Sequence, residues 1–113
     1  MADCLFCKII NGEIPSKCIY NDDDVYAFYD INPQAPVHFL VIPKAHIESA
    51  GAITAENSAA VAKCFEVIAK LAESEGLDGG FRVISNCGAD AGQTVHHLHF
   101  HVLGGTEMGE KLL

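Results

Sequence analysis

The sequence predicts a small α+β domain, an antiparallel sheet of about five strands carrying one long and one short helix. Short apolar or alternating runs recur at residues 17–20, 24–30, 38–42, 81–86 and 95–103. One long stretch, residues 54–75, follows helical spacing, and a shorter apolar stretch, residues 3–11, precedes all the strands. No internal repeat, linker or low-complexity segment divides the chain.

Taken in order, residues 3–11 read as a short helix with Leu5, Phe6, Ile9 and Ile10 apolar, ended by Asn11-Gly12 ahead of Ile14-Pro15. Residues 17–20 and 24–30 flank the polar Asn21-Asp22-Asp23 turn and read as a hairpin; the loop Asn32-Pro33-Gln34-Ala35-Pro36 leads into His38-Phe39-Leu40-Val41-Ile42, stopped by Pro43. In the long helix Thr54 is the expected N-cap. Val61, Cys64, Phe65, Ile68, Leu71 and Ala72 form its packing face, and Gly76 ends it. After Asp78-Gly79-Gly80, residues 81–86 form a strand, the loop from Cys87 to Gly92 reverses the chain, and residues 95–103 return antiparallel. The tail from Thr106 onward is polar and expected to be loosely ordered.

The chain has 113 residues, half of them hydrophobic, which suits one domain with a modest core, a size at which a second copy often completes the structure. Seven basic against 15 acidic residues give a formal net charge of −8. That balance repels polyphosphate and excludes nucleic-acid polymers and anionic membranes as partners, although backbone N–H groups and hydroxyls can still hold a small anion. Met1-Ala2-Asp3-Cys4 is not a basic-then-apolar leader, and no run approaches ~18 apolar residues, so a cytoplasmic location is expected. Five cysteines do not make a disulfide framework. Cys4 and Cys7 have the spacing of two ligands of a structural zinc ion, half of a tetrahedral set that histidines could complete; redox chemistry is the competing reading. Cys18, Cys64 and Cys87 read as buried or incidental thiols.

The chemistry points to Gln93-Thr94-Val95-His96-His97-Leu98-His99-Phe100-His101. In an extended chain alternate side chains share a face, so His97, His99 and His101 form a row ~6.8 Å apart along the backbone, and His96, given no role, points away. Imidazole at neutral pH suits nucleophilic attack, proton transfer or metal ligation. Two readings stand. An H-x-H pair can chelate a hydrolytic metal. Alternatively, the central imidazole attacks an electrophilic phosphorus to form a covalent intermediate. Gly92-Gln93-Thr94, rich in donors for phosphate oxygens, and a row without a carboxylate favour the second.

His97-Leu98-His99-Phe100-His101-Val102-Leu103 matches the alternating signature of the histidine triad (HIT) superfamily. Phe6-Cys7-Lys8-Ile9-Ile10, Glu13-Ile14-Pro15, Asp30 through Pro36, His38 through Lys44 and Asn86 through Gly105 extend the match. The chain resembles, nearly end to end, that superfamily's small nucleotide-binding proteins, which act as purine nucleoside phosphoramidases. The resemblance implies a single HIT domain over residues 1–113 and a two-fold dimer. It implies hydrolysis of the P–N bond in AMP–amine or AMP–lysine conjugates, with His99 as nucleophile and a nucleotidyl-histidine intermediate, assisted by His97, His101 and Thr94. Asn86, Gln93, Thr94 and His101 would surround the phosphate, and Asp30 would accept from both ribose hydroxyls. Phe6, Ile9, Phe28, Ile31 and Leu40 would form the purine slot, although core membership accounts equally well for such residues. Some microbial relatives carry zinc on positions matching Cys4, Cys7, His46 and His97, and others lack the cysteines, so the resemblance implies a structural zinc ion and no cofactor for catalysis. Thr94 stands where many relatives have Ser, and the segment after Gly105 lacks the Trp-Pro-Pro of animal members. Alternatives are a dinucleoside polyphosphate hydrolase, a nucleotide-binding scaffold with incidental catalysis, and a zinc-dependent hydrolase.

Overall fold

The computed structural model of the protein describes residues 3–111. Helix α1 (Leu5–Ile10) leads into strands β1 (Cys18–Asn21), β2 (Val25–Tyr29) and β3 (Val37–Pro43). The long helix α2 (Ser58–Ser74) and strands β4 (Phe81–Ile84) and β5 (Phe100–Gly104) follow. The five strands form one antiparallel sheet in the order β1-β2-β3-β5-β4, as the chain's pattern predicts.

Strands β2 and β3 read as continuous apolar runs because both of their faces are covered. On one face Val25, Ala27, Phe39, Val41, Phe100 and Val102 meet the α2 stripe of Cys64, Val67, Ile68, Leu71 and Ala72. Cys64 is wholly buried there, and desolvation pushes its thiol up to about 12, so it behaves as a small apolar side chain. Cys18 and Cys87 are exposed, the incidental alternative of the two expected for them. On the opposite face Phe6 and Ile9 of α1 pack on Tyr26, Phe28, Leu40 and Ile42. The sheet thus separates a large core under α2 from a smaller cluster under α1.

The boundaries shift where side chains redirect backbone groups. Helix α2 starts at Ser58 and not at Thr54. Asn57 Oδ1 accepts from the Thr54 N–H at 2.7 Å and Thr54 Oγ1 accepts from the Glu56 N–H, closing a separate turn before the helix. Its other end is as expected, with Gly76 at φ +75°, a left-handed position that favours glycine. The last strand is shorter than predicted because residues 97–99 leave the ladder: the Leu98 N–H donates to Ile47 O at 2.6 Å, and Ser85 Oγ donates to His99 O at 2.9 Å. Of the tail, Arg82 donates to the carbonyls of Gly109 (2.5 Å) and Lys111 (3.4 Å), which holds it against β4. Leu112 and Leu113 lie outside the described residues. No helix among the described residues is long and apolar enough to cross a membrane.

Ile68 sits at the centre of the α2–sheet contact, 2% exposed. Ile68→Ala is expected to lower unfolding stability by about 2–5 kcal/mol, measured by urea denaturation, through lost burial and the cavity left behind.

Candidate active site

Between α1, the face of the sheet beneath it and the loop before β5 lies a cavity of about 420 Å³, within the range of small-ligand sites. Its apolar wall includes Leu5, Phe6, Ile9, Ile14, Phe28 and Leu40, while Asp30, Asn86, Gln93, Thr94, His99 and His101 bring the polar groups. Phe6, Ile9, Phe28 and Leu40 are buried, and the Phe6 ring stands edge-on to both Phe28 (5.6 Å between centroids) and His99 (5.1 Å). Ile31 is 98% exposed, so it stands at the rim instead of forming a wall.

The expected row of three imidazoles on one surface breaks at its first member. His99 and His101 line the cavity; His97 does not. Its ring is fully buried, with Nε2 2.8 Å from Pro43 O and Nδ1 3.5 and 3.6 Å from the sulfurs of Cys4 and Cys7. The physical reason is the departure of residues 97–99 from strand geometry, which ends the strict alternation of faces.

These contacts assign tautomers, because a carbonyl can only accept. His97 donates through Nε2 to Pro43 O, which turns the Nδ1 lone pair toward the cysteines. His99 donates through Nδ1 to His97 O at 2.6 Å, so in the neutral ring the lone pair lies on Nε2. A second chain of bonds fixes His101. The Gln34 N–H donates to His38 Nδ1 at 3.0 Å, so His38 carries its proton on Nε2 and donates it to His101 Nδ1, also at 3.0 Å. His101 therefore presents an Nε2–H donor. Asp30 Oδ2 lies 3.5 Å from His38 Nε2 and 3.9 Å from His101 Nδ1, while its Oδ1 accepts from the Asn32 N–H. Asp30, His38 and His101 could be mistaken for a metal triad. Ligation through His38 Nε2 would put a proton on Nδ1, facing the Gln34 N–H, so the geometry is that of a hydrogen-bond relay.

His38 and Gln34 escaped the sequence reading. Alternation is the available signal: His38 shares a strand face with Leu40, one of the expected slot residues, and Leu40 pairs with His101. Gln93 takes a different part from the one expected. Its Oε1 accepts from the Gly88 N–H, and its Nε2 donates to Glu48 O and Val95 O, so the amide is spent on holding the loop. Thr94 is exposed at the cavity and retains its hydroxyl there.

Cys4, Cys7, His46 and His97 come together as one cluster, the four residues expected as ligands. Cys7 Sγ stands 3.4 Å from His46 Nδ1, alongside the 3.5 and 3.6 Å sulfur–His97 spacings. With metal–sulfur and metal–nitrogen bonds of ordinary zinc length, the sulfur-to-nitrogen edge of a tetrahedron is about 3.5 Å. The residues fit the ion. The bond from His97 Nε2–H to Pro43 O also supplies the orientation that a ligating imidazole needs.

Burial holds both relay imidazoles neutral: it lowers the His38 pKa, opposed by the charge of Asp30, and lowers His101 to about 4, aided by His99 and His38. The folded pKa lies below the ordinary value near 6.5, so the unfolded chain takes the proton first as pH falls. The stability tied to His101 is thus complete above about pH 6.5 and is lost toward about pH 4. Urea midpoints measured across that window are expected to fall with pH in the native protein and to fall less steeply in His101→Gln.

The HIT domain family model matches residues 11–108. The chain is 46% identical over 109 residues to the purine nucleoside phosphoramidase of Escherichia coli (strain K12), covering 96% of this chain and 92% of that protein. It is 40% identical over 104 residues to protein HitA of Neisseria gonorrhoeae, covering 92% and 97%. Among solved structures, a histidine triad protein from Clostridium difficile superposes with a TM-score of 0.94 at 50% identity, covering 98% and 97%. A HIT family hydrolase from Clostridium thermocellum superposes with a TM-score of 0.97 at 48% identity, covering 100% and 99%. With sequence and fold matched nearly end to end, the chain belongs to the HIT domain family, as one of its hydrolases.

Proposed function

We propose that the protein hydrolyses purine nucleoside 5′-phosphoramidates through a nucleotidyl-histidine intermediate on His99. The observation that carries this reading is the 2.6 Å bond from His99 Nδ1–H to His97 O, which places the lone pair of the neutral ring on Nε2, in an imidazole lining the cavity. The lone pair of Nε2 forms a bond to the α-phosphorus as the P–N bond breaks, and the amine leaves after taking up a proton. The Thr94 hydroxyl is the group suited to pass that proton. Water then attacks the phosphorus, the P–Nε2 bond breaks, and the nucleoside monophosphate departs. His101 Nε2–H and Asn86 donate to the phosphate oxygens during both steps, and Asp30 accepts from the ribose hydroxyls. The base lies between Phe6, Ile9, Phe28 and Leu40, with Ile31 over its rim. Likeness to the Escherichia coli purine nucleoside phosphoramidase supports the substrate class.

His97 serves this reaction by position, holding the His99 tautomer through its carbonyl. Cys4, Cys7, His46 and His97 would hold a structural zinc ion, whose part is to cross-link α1 to the sheet. The whole chain acts as one HIT domain in the cytoplasm, as a two-fold dimer. Phe81 on the edge strand β4 and Phe65 on α2, 41% and 46% exposed, are consistent with a second copy covering that side.

The test is AMP release from adenosine 5′-phosphoramidate. His99→Ala is expected to abolish detectable turnover, a loss of at least about 10³-fold, while AMP affinity by calorimetry changes little. Faster AMP release from diadenosine polyphosphates would instead favour the polyphosphate hydrolase. Cys4→Ser with Cys7→Ser, or chelation, is expected to lower the melting temperature by roughly 10 °C while turnover persists in the protein that stays folded. Loss of turnover without loss of fold would make the metal catalytic and overturn the covalent reading.

A further inference from the structure

A groove of about 700 Å³ runs alongside the cavity, and the two share Leu5, Thr94 and Val95. Beyond Thr94 the groove is bounded by Asp3, by Cys4 and His46 of the cysteine–histidine cluster, and by His96, the histidine for which neither strand geometry nor the triad supplies a part. Resting on the reading above, we propose that this groove receives the leaving amine, and that Asp3 selects amines carrying a second, cationic group at the end of an alkyl chain.

The position follows from the substrate's connectivity. The amine is attached to phosphorus, so it leaves the cavity where the phosphate lies, beside Thr94. A different groove, of about 770 Å³, adjoins the cavity at Tyr29, Asp30 and Ile31, the ribose end, which a substituent on phosphorus does not reach. The chemistry of the walls then sets the class of amine. Leu5, 42% exposed on the first turn of α1, and Val95 offer uncovered apolar surface to a methylene chain. Past them stands the Asp3 carboxylate, exposed, with no lysine or arginine among the groove's residues. The chain's net charge of −8 adds to the attraction for a cation and the repulsion of an anion.

Three adenosine 5′-phosphoramidates of matched length decide it: N-butyl (neutral), N-(4-aminobutyl) (cationic) and N-(3-carboxypropyl) (anionic). The native protein is expected to show kcat/KM in the order cationic, neutral, anionic, with the cation favoured about two- to fivefold over the neutral chain, as for an exposed ion pair. Asp3→Asn levels the first two, Asp3→Lys reverses them, His96→Glu widens the gap, and added salt narrows it. The unsubstituted phosphoramidate, too short to enter the groove, is turned over equally by native protein and Asp3→Asn. A native preference that persists in Asp3→Asn, or no native preference, overturns the proposal. Failure to hydrolyse the unsubstituted compound would instead remove the phosphoramidase reading. The groove is then judged by affinity for the matching adenosine 5′-alkylphosphonates, with P–CH₂ in place of P–N: the same order supports it, and a flat series overturns it.

Discussion

His97 is the residue on which the site's geometry hangs. Its buried ring is held at one nitrogen by Pro43 O and turned at the other toward Cys4 and Cys7, while its own carbonyl takes the Nδ1–H of His99. One residue therefore sets the direction of the cysteine cluster and the tautomer of the imidazole in the cavity. The adjoining Leu98 N–H, bonded to Ile47 O, ties the same segment to the chain that carries His46. A wholly buried imidazole tolerates no loose end, because an unpaired nitrogen there costs about 1–3 kcal/mol. Both ends are fixed, and so is everything attached to them.

The two faces of the sheet divide the work. The α2 side is a conventional core, with a 17-residue helix laid over apolar strands. Helix α1, on the other side, has only six residues, too few to hold its shape alone. It is kept by Phe6 and Ile9 packed on β2 and β3, by Cys4 accepting the Cys7 N–H, and by the cysteine–histidine cluster at its start. Since Phe6 is also a wall of the cavity and touches His99, the forces that retain this helix also shape the pocket.

Five imidazoles crowd within this region of an acidic protein, yet burial keeps His38, His97 and His101 toward their neutral forms. Neutral rings donate and accept at once, and a relay needs both. The run from the Gln34 N–H through His38 to His101 orients a donor into the cavity without placing a charge there. The loop preceding β5 is held in the same economical way, by the three bonds of the Gln93 amide.

The chain's own pattern determined the fold class, the sheet's antiparallel pairing and most of the α2 face, because periodicity is local; Phe65, expected on that face, is 46% exposed, and Val67 is buried there instead. Residue type and family likeness point to His99, His101, Thr94 and Asp30, which the fold brings to one cavity, and to Cys4, Cys7, His46 and His97, which it gathers into one cluster. Tertiary structure decided what each side chain does. Strand alternation could not reveal that His97 turns from the cavity, since that depends on Ile47 and Ser85 drawing residues 97–99 out of the ladder. Nor could sequence show that Gln93 is spent on backbone groups of Gly88, Glu48 and Val95, or that His38 stands behind His101. Those assignments rest on hydrogen-bond partners tens of residues away, and a carbonyl's capacity to choose an imidazole tautomer exists only once the chain has brought the two together.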